Sequence, residues 1–410
     1  MKMAATSVVI RRVRLRNYKS IAACDVTLSP LTFLVGANGS GKSNFLDSMR
    51  FVSDSLRTSL DHALRDRGTI KEVRRRSGGH PNHFALRIDF TLPDGDTGHF
   101  SFRVGAKPSG GYEVQNEECK ILSSEPGVPE ASYHVKAGHL TASSLPQLPA
   151  SLPDRLQLVA ASGLPAFRKV YDALSGIQVY NLNPQEISVM QRPDPGELLR
   201  RDGGNAASVL QNLDSASRKR IDAYLARIIP GVQSVVPKTL GKQETIEFRQ
   251  MVKGQQHPWH FLAGSMSDGT LRALGLLLAI NQQGAWGEVS RAPSLIGLEE
   301  PETALHPAAA GVLLAALREA SRTTQIMVTS HSPDLLDNPD IDDESLYAVE
   351  NDDGLTRIGR IDAAGREMLR RRLFTPGELL RQNQLSPDPE AIADVRSESQ
   401  LGLFDMNGAP

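Results

Sequence analysis

The stretch "LTFLVGANGSGKSNFLDSMRF", Leu31 to Phe51, decides the fold. "LTFLV" reads as an apolar strand, "GANGSG" as a glycine-rich turn and the remainder as a helix. From Gly36 to Ser43, "GANGSGKS" matches the pattern G-x-x-x-x-G-K-[ST] completely. Each residue type in that pattern has its own role. Glycines let backbone N–H groups curl around phosphates, the Lys42 ammonium reaches the β and γ oxygens, and the Ser43 hydroxyl binds Mg²⁺. Gly36, Ala37, Asn38, Gly39, Ser40, Gly41, Lys42, Ser43 and Asn44 are therefore the expected nucleotide cradle. The bland alternative is a ligand-free turn between strand and helix. Pattern and context together favour the cradle.

Further along, "SLIGLEEPETALHP" runs an apolar strand into two consecutive carboxylates, Glu299 and Glu300. Adjacent strand residues point to opposite faces, so the two cannot share one role. The first suits a Mg²⁺ contact and the second could polarise the water that attacks a γ-phosphate. Solvated strand-end acids are the plain reading, which a nearby P-loop pattern makes less economical. In "IMVTSHSPDLL", His331 sits just past another apolar strand. The C-terminal edge of a parallel sheet is where such folds form their ligand crevice. A third stretch, "SMSDGTLRALGLLLAI", opens an apolar helix with Ser267-Asp268-Gly269-Thr270. Ser or Asp there makes a good N-cap, and the same helix end offers N–H donors to a phosphate.

The bulk numbers set the frame. A chain of 410 residues forms one large or two coupled domains. A net charge of −1 gives no global attraction to nucleic acid or acidic membranes. Cys24 and Cys119 stand alone and form neither metal-ligand spacing nor a disulfide framework. The apolar run "ALGLLLAI" is too short to span a bilayer, so a soluble cytoplasmic protein without membrane contact is expected.

Along the chain, "SVVIRRVRLRNYKSI" alternates apolar residues with arginines, which predicts a strand with an exposed basic face. Alternating runs from Phe84 to Cys119 predict an antiparallel meander, and residues 122–165 read as Ser/Pro-rich irregular structure with one short strand pair. Asn205 is expected to cap one helix through "AASVLQNLDSASRKRIDAYLARII". Strand and helix then alternate in the final third, which implies a parallel α/β sheet. The tail after about Leu385 is polar and is expected to be loosely held.

Taken in order, "GANGSGKS", "SMSDG", "LIGLEEPETALHP" and "TSHSP" resemble the ABC-type ATPase heads, more narrowly the RecF/SMC-like branch and relatives grouped as AAA family ATPases. "RVRLRNYKSI" is similar to that family's opening strand. The resemblance implies an α/β P-loop NTPase of ABC-ATPase-head type, with a mixed central sheet flanked by helices, an antiparallel β subdomain and a helical insertion. It implies one head over 1–385, divided into a P-loop lobe (1–80), an antiparallel β subdomain with a Pro/Ser-rich insertion (81–165), a helical/β insertion (166–262) and a lobe with signature, Walker B and switch histidine (263–385). Residues 386–410 are the polar tail. In such heads two copies stack head to tail, and the signature of one seals ATP on the P-loop of the other. Ser267 and Gly269 would then meet the γ-phosphate in trans, with Asp268 facing away or pairing across the dimer. Glu300 takes the place of the catalytic base, Glu299 and Ser43 those of the metal ligands, and His331 that of the switch histidine. Glu302 and His306 are candidate interface residues, and Gln185 and Gln191 both remain candidates for the glutamine-bearing loop.

ATP with Mg²⁺ is thus the expected cofactor set, ATP hydrolysis the expected activity and a homodimer the expected assembly. The nucleotide-binding subunit of an ABC transporter is the alternative. Against it stand the long stretch between Lys42 and Ser267 and the "NYKS" opening. No coiled-coil arm and no fused nuclease is visible, so any nuclease or effector is expected on another polypeptide. Arg11, Arg12, Arg14 and Arg16, and then Arg65, Arg67, Lys71, Arg74, Arg75 and Arg76, are the segments offered to duplex DNA. Interspersed Asp61, Asp66 and Glu72 equally suit a solvated, locally paired surface. DNA repair or maintenance, and sensing within a bacterial anti-phage system, are the two biological expectations.

Overall fold

In the computed structural model, residues 8–76, 81–282, 292–392 and 402–404 are described. The strands are β1 (Val9–Tyr18), β2 (Ile21–Thr27), β3 (Leu31–Val35), β4 (His83–Thr91), β5 (Thr97–Ala106), β6 (Tyr112–Leu122), β7 (Ala131–Lys136) and β8 (His139–Ser143). They continue with β9 (Ile177–Tyr180), β10 (Val232–Leu240), β11 (Gln243–Gln250), β12 (Trp259–Leu262), β13 (Leu295–Glu299), β14 (Gln325–Ser330), β15 (Leu346–Asp352) and β16 (Leu355–Arg360).

One sheet of 13 strands carries most of them, in the order β8-β7-β6-β5-β4-β1-β2-β16-β15-β3-β14-β13-β9. Its right-hand part is parallel: β15, β3, β14, β13 and β9 run together. Its left-hand part is antiparallel from β8 through β2. The expected antiparallel meander is therefore present, joined edge to edge to the parallel part through β1, β2, β16 and β15. A separate three-stranded sheet, β10-β11-β12, stands beside it.

Each face of the sheet is covered by its own core. Strand alternation sends Leu34 of β3 into one core and Phe33 and Val35 into the other. Phe45, Leu46 and Met49 of the helix Lys42–Arg57 pack into the first. Leu271, Leu274 and Leu278 of the helix Asp268–Asn281 pack into the second. Tyr18 is fully buried in the first core, with edge-on contacts to Phe51 and Phe84 at 6.1 and 5.7 Å.

Two expectations are corrected. The helix after Asn205 is two helices, Ala206–Asn212 and Ser215–Ile228. Leu213 is extended and Asp214 caps the second helix by accepting from Ser217 N. Asn205 makes no cap; its Oδ1 accepts from Arg200 N and its Nδ2 donates to Asp194. Residues 386–392, expected in the loosely held tail, are also held: Pro387 bridges to Ile361, and the Asp388 carboxylate accepts from Arg366 at 3.2 Å; residues 393–401 and 405–410 lie outside the described residues.

Candidate functional site

The P-loop, residues 36–41, leaves β3 and turns into the helix Lys42–Arg57. Gly41 has φ of 103°, a left-handed conformation costly for any residue with a side chain. A Cβ on it would lie 2.0 Å from Thr356 Oγ1, and one on Gly36 would lie 2.0 Å from the Val349 carbonyl oxygen. The loop is thus seated directly on β15 and β16. Thr356 Oγ1 donates to the Ser40 carbonyl at 2.9 Å, and Asn351 Nδ2 to the Gly39 carbonyl at 3.1 Å. Ser20 joins Thr356 at 2.6 Å and accepts from Asn44 Nδ2 at 2.6 Å. The "NYKS" segment thereby braces the site, since Tyr18 and Lys19 hold Asp47 of the helix while Ser20 supports the loop.

No side chain caps the helix that begins at Lys42, and Ser40 Oγ is buried without a partner. Those are the donors an anion would take. Ala37, Asn38, Gly39 and Ser43 face solvent, while Gly36 and Ser40 are buried. Lys42 is buried and folds back, donating to the carbonyls of Gly36 and Ala37 at 2.8 and 2.9 Å. Burial pulls its pKa down, against the opposing pull of Glu300 and Glu302.

Those acids belong to the turn after β13. Glu300 leaves the strand with φ of 43°, an uncommon conformation for a non-glycine residue. Its N–H donates to the Thr329 carbonyl at 3.0 Å, which ties the turn to β14. Glu300 Oε1 lies 3.1 Å from His331 Nδ1, within ion-pair range but off the line of a hydrogen bond. Glu299 faces elsewhere, as strand alternation requires, and its Oε1 accepts from Arg201 at 2.9 Å. Glu302, expected at an interface, instead turns inward. Its Oε1 accepts from Ser330 Oγ at 2.6 Å and from His331 N at 3.3 Å, and burial raises its pKa. His306 is exposed and caps the following turn by accepting from Ala308 N at 3.1 Å.

Ser267 is exposed and caps the helix Asp268–Asn281 by accepting from Thr270 N at 3.3 Å. A Cβ on Gly269 would lie 2.4 Å from the Ala304 carbonyl oxygen, so its missing side chain serves packing inside the same head. Asp268 accepts from Gln185 Nε2 at 3.3 Å, within the same chain. That separates the two glutamine candidates. Gln191 is buried and fully used, donating to the Glu186 and Gly203 carbonyls and accepting from Ala207 N. Gln185 lies by the exposed turn.

Sequence reasoning missed Arg272. This buried residue of the apolar helix donates to the Leu182 carbonyl at 2.8 Å and to the Glu299 and Glu300 carbonyls at 3.2 and 3.0 Å. It ties the helix behind Ser267 to the turn that carries both acids.

The downstream basic segment is largely committed. Arg67 is 4% exposed, pairs with Asp47 and Asp54 at 2.9 and 3.0 Å and covers the Phe51 ring. Arg65 pairs with Asp61, Arg76 with Glu72, and Arg74 donates to the Pro81 carbonyl. Strand β1, expected with an exposed basic face, lies between β2 and β4; its Arg11 is exposed, while Arg12, Arg14 and Arg16 are only partly exposed.

The loop fits a phosphate-bearing ligand: an uncapped helix end, a cradle that excludes two Cβ atoms and a buried lysine, with the exposed Ser43 hydroxyl beside them, while Glu299 is held by Arg201. No helix among the described residues is long and apolar enough to cross a membrane.

The chain is similar to several known proteins. A family model described as "RecF/RecN/SMC N terminal domain" matches residues 9–356. A DNA replication and repair protein RecF from Porphyromonas gingivalis is 48% identical over 46 residues, 11% of this chain and 13% of that protein's length. The structure of an SMC head bound to the C-winged helix domain of ScpA is similar over 85% of this chain and 96% of that one, with TM-score 0.54 and 15% identity. An SMC head with an extended coiled coil, bound to the C-terminal domain of ScpA and derived from Pyrococcus furiosus, covers 89% and 99%, with TM-score 0.54 and 13% identity.

Proposed function

The chain belongs to the RecF/RecN/SMC N-terminal domain family, and from that premise we propose that it is an ATP-hydrolysing head that closes as a head-to-tail dimer. The observation that carries this reading is the meeting of Glu300 and His331, 3.1 Å apart, beside the buried Lys42. In this reading the P-loop N–H groups and Lys42 bind the phosphates. Ser43, and Glu299 on leaving Arg201, would hold Mg²⁺, which would offset charge on the transferred phosphoryl group. Glu300 orients a water and takes its proton, and His331 holds that carboxylate in place. The exposed Ser267 end of its helix is offered to a second copy, where N–H donors and the positive end of the helix dipole suit a phosphate.

For biological role we favour DNA repair or maintenance, supported by the RecF relative and by the arginines of the large sheet. A second reading, a sensor subunit for a separately encoded nuclease or effector in anti-phage defence, draws on the small sheet. There Trp259 is 50% exposed beside Phe261, with ring centroids 6.2 Å apart, an apolar patch that a protein partner could cover.

ATP turnover with and without linear duplex DNA, at low and moderate salt, separates the two. Stimulation that fades with salt and is lost in Ser267→Arg is expected if DNA is what the dimer senses. Turnover that needs Ser267 yet ignores DNA would move the assignment to a protein client. Turnover indifferent to Ser267 would remove the dimer from the mechanism.

A further inference from the structure

The left half of the large sheet has a cationic side. Along β1, Arg12, Arg14 and Arg16 alternate with the buried Val13 and Leu15. Antiparallel pairing puts Arg87 opposite Arg14, and Arg103 lies across Ala85 from Arg16. Acids are concentrated at one end: Asp25 takes Arg12, and Asp89 is shared by Arg14 and Arg87. Toward the other end the register reads Ala23, Arg16, Ala85, Arg103 and Asn116, with no acid among them. Burial and the adjacent Arg16 pull the Arg103 pKa down, and burial with both arginines pulls down His83. Like charges are crowded there.

Residues Gly402–Phe404, near the C-terminus, lie on this side. Arg14 Nη1 donates to the Gly402 carbonyl at 2.7 Å, and the Arg103 guanidinium carbon is 5.2 Å from the centre of the Phe404 ring. Leu403 is 5% exposed. The sequence around this tripeptide is acidic: from Ser386 to Pro410 it carries Asp388, Glu390, Asp394, Glu398 and Asp405 against Arg396 alone.

We infer that Gly402–Phe404 are a built-in occupant of this arginine side, and that duplex DNA competes with them for the same residues. The inference rests on the DNA reading above. The ladder advances about 6.8 Å per arginine along β1 and about 4.8 Å per strand. It presents lines of charge, which suit a string of phosphates better than a single small anion. The tail holds its place by a carbonyl, an aromatic ring and a leucine. A duplex offers those arginines a full charge at each contact, so the tail is displaceable. Docked, it closes the ladder to a polyanion; undocked, it frees Arg103 and the Nη1 of Arg14, whose Nη2 stays on Asp89.

The test compares the full chain with a chain ending at Gln400, by fluorescence anisotropy with a fluorescein-labelled blunt duplex over a salt series. Thermal melting first checks that each variant is folded. The shortened chain is expected to bind about tenfold more tightly and with a steeper salt dependence. Phe404→Ala in the full chain is expected to give part of that gain, and Arg103→Glu in the shortened chain to cancel it. Equal affinity of the two chains would leave the DNA reading standing and overturn the competing tail. No duplex binding by either chain would remove the DNA reading and this inference with it. A gain that survives Arg103→Glu would overturn the placement on this side of the sheet.

Discussion

At the scale of single residues, the centre of the site is a carboxylate held in an unusual backbone conformation. Glu300 keeps φ of 43° because its N–H is fixed to Thr329 and its carbonyl to Arg272. That over-determination aims the side chain at His331. Glu300→Gln keeps the shape and the hydrogen-bonding reach but cannot accept a proton. Phosphate release is expected to fall about 10² to 10⁴-fold while binding of a fluorescent ATP analogue stays within a few-fold. Turnover near the wild-type rate would put the base elsewhere. The residues legible in the sequence were those in ungapped patterns: the P-loop, the glutamate pair and His331. Their partners were not. Nothing local to "LRALGLLLAI" tells which carbonyls Arg272 reaches, and nothing local to Gln191 shows that tertiary packing has used all its polar atoms.

At the scale of elements, Arg272 joins the helix Asp268–Asn281 to the turn after β13. In a head-to-tail dimer that helix would face one nucleotide and the turn the other. Arg272→Ala leaves the carbonyls of Leu182, Glu299 and Glu300 without their buried charged donor. A loss of about 2–4 kcal/mol is expected, read as a lower melting temperature, with Arg272→Lys recovering only part because one ammonium cannot span three acceptors. An unchanged melting temperature would mean that water replaces the guanidinium. A second element-scale joint lies far from the site. Glu117 of β6 is fully buried, accepting from Tyr133 Oη at 2.8 Å and from the first N–H groups of the helix Gln157–Ala161, those of Gln157 and Leu158, at 2.6 and 2.8 Å. Burial, opposed by those bonds, pushes its pKa from 4.5 up to about 7. Between those values the folded chain holds a proton that the unfolded chain has lost. Glu117 therefore stabilises the fold below about pH 4.5, and that contribution fades as pH rises through about 7. Melting temperatures across that window are expected to fall less steeply in Glu117→Gln than in the wild type; parallel slopes would show that Glu117 does not titrate there. Elements were legible where periodicity was strong, as in the β4–β6 meander. The break at Leu213–Asp214 was missed because Asp214 suits a helix surface and an N-cap equally well.

At the scale of the whole molecule, the strand types could be read from the sequence but their order could not. β1 pairs with β2 and β4, β15 with β3, and β16 with β2, so neighbours in the sheet come from opposite ends of the chain. Alternation says which side of a strand is apolar; it carries no address for the partner. For the same reason Arg12, Arg14 and Arg16 of β1 looked fully exposed. Their side of the strand is apolar-poor, yet flanking strands and the far C-terminal residues cover it.

The seat of the P-loop has a consequence for how the protein is made. Gly36 and Gly41 rest on Val349 and Thr356, and Ser40 is held by Thr356. A chain emerging from the ribosome presents "GANGSGKS" early, yet the floor beneath that loop is synthesised more than 300 residues later. Nascent chains therefore carry the phosphate motif without the means to hold its shape, and nucleotide can favour the finished head over every translation intermediate that lacks β16.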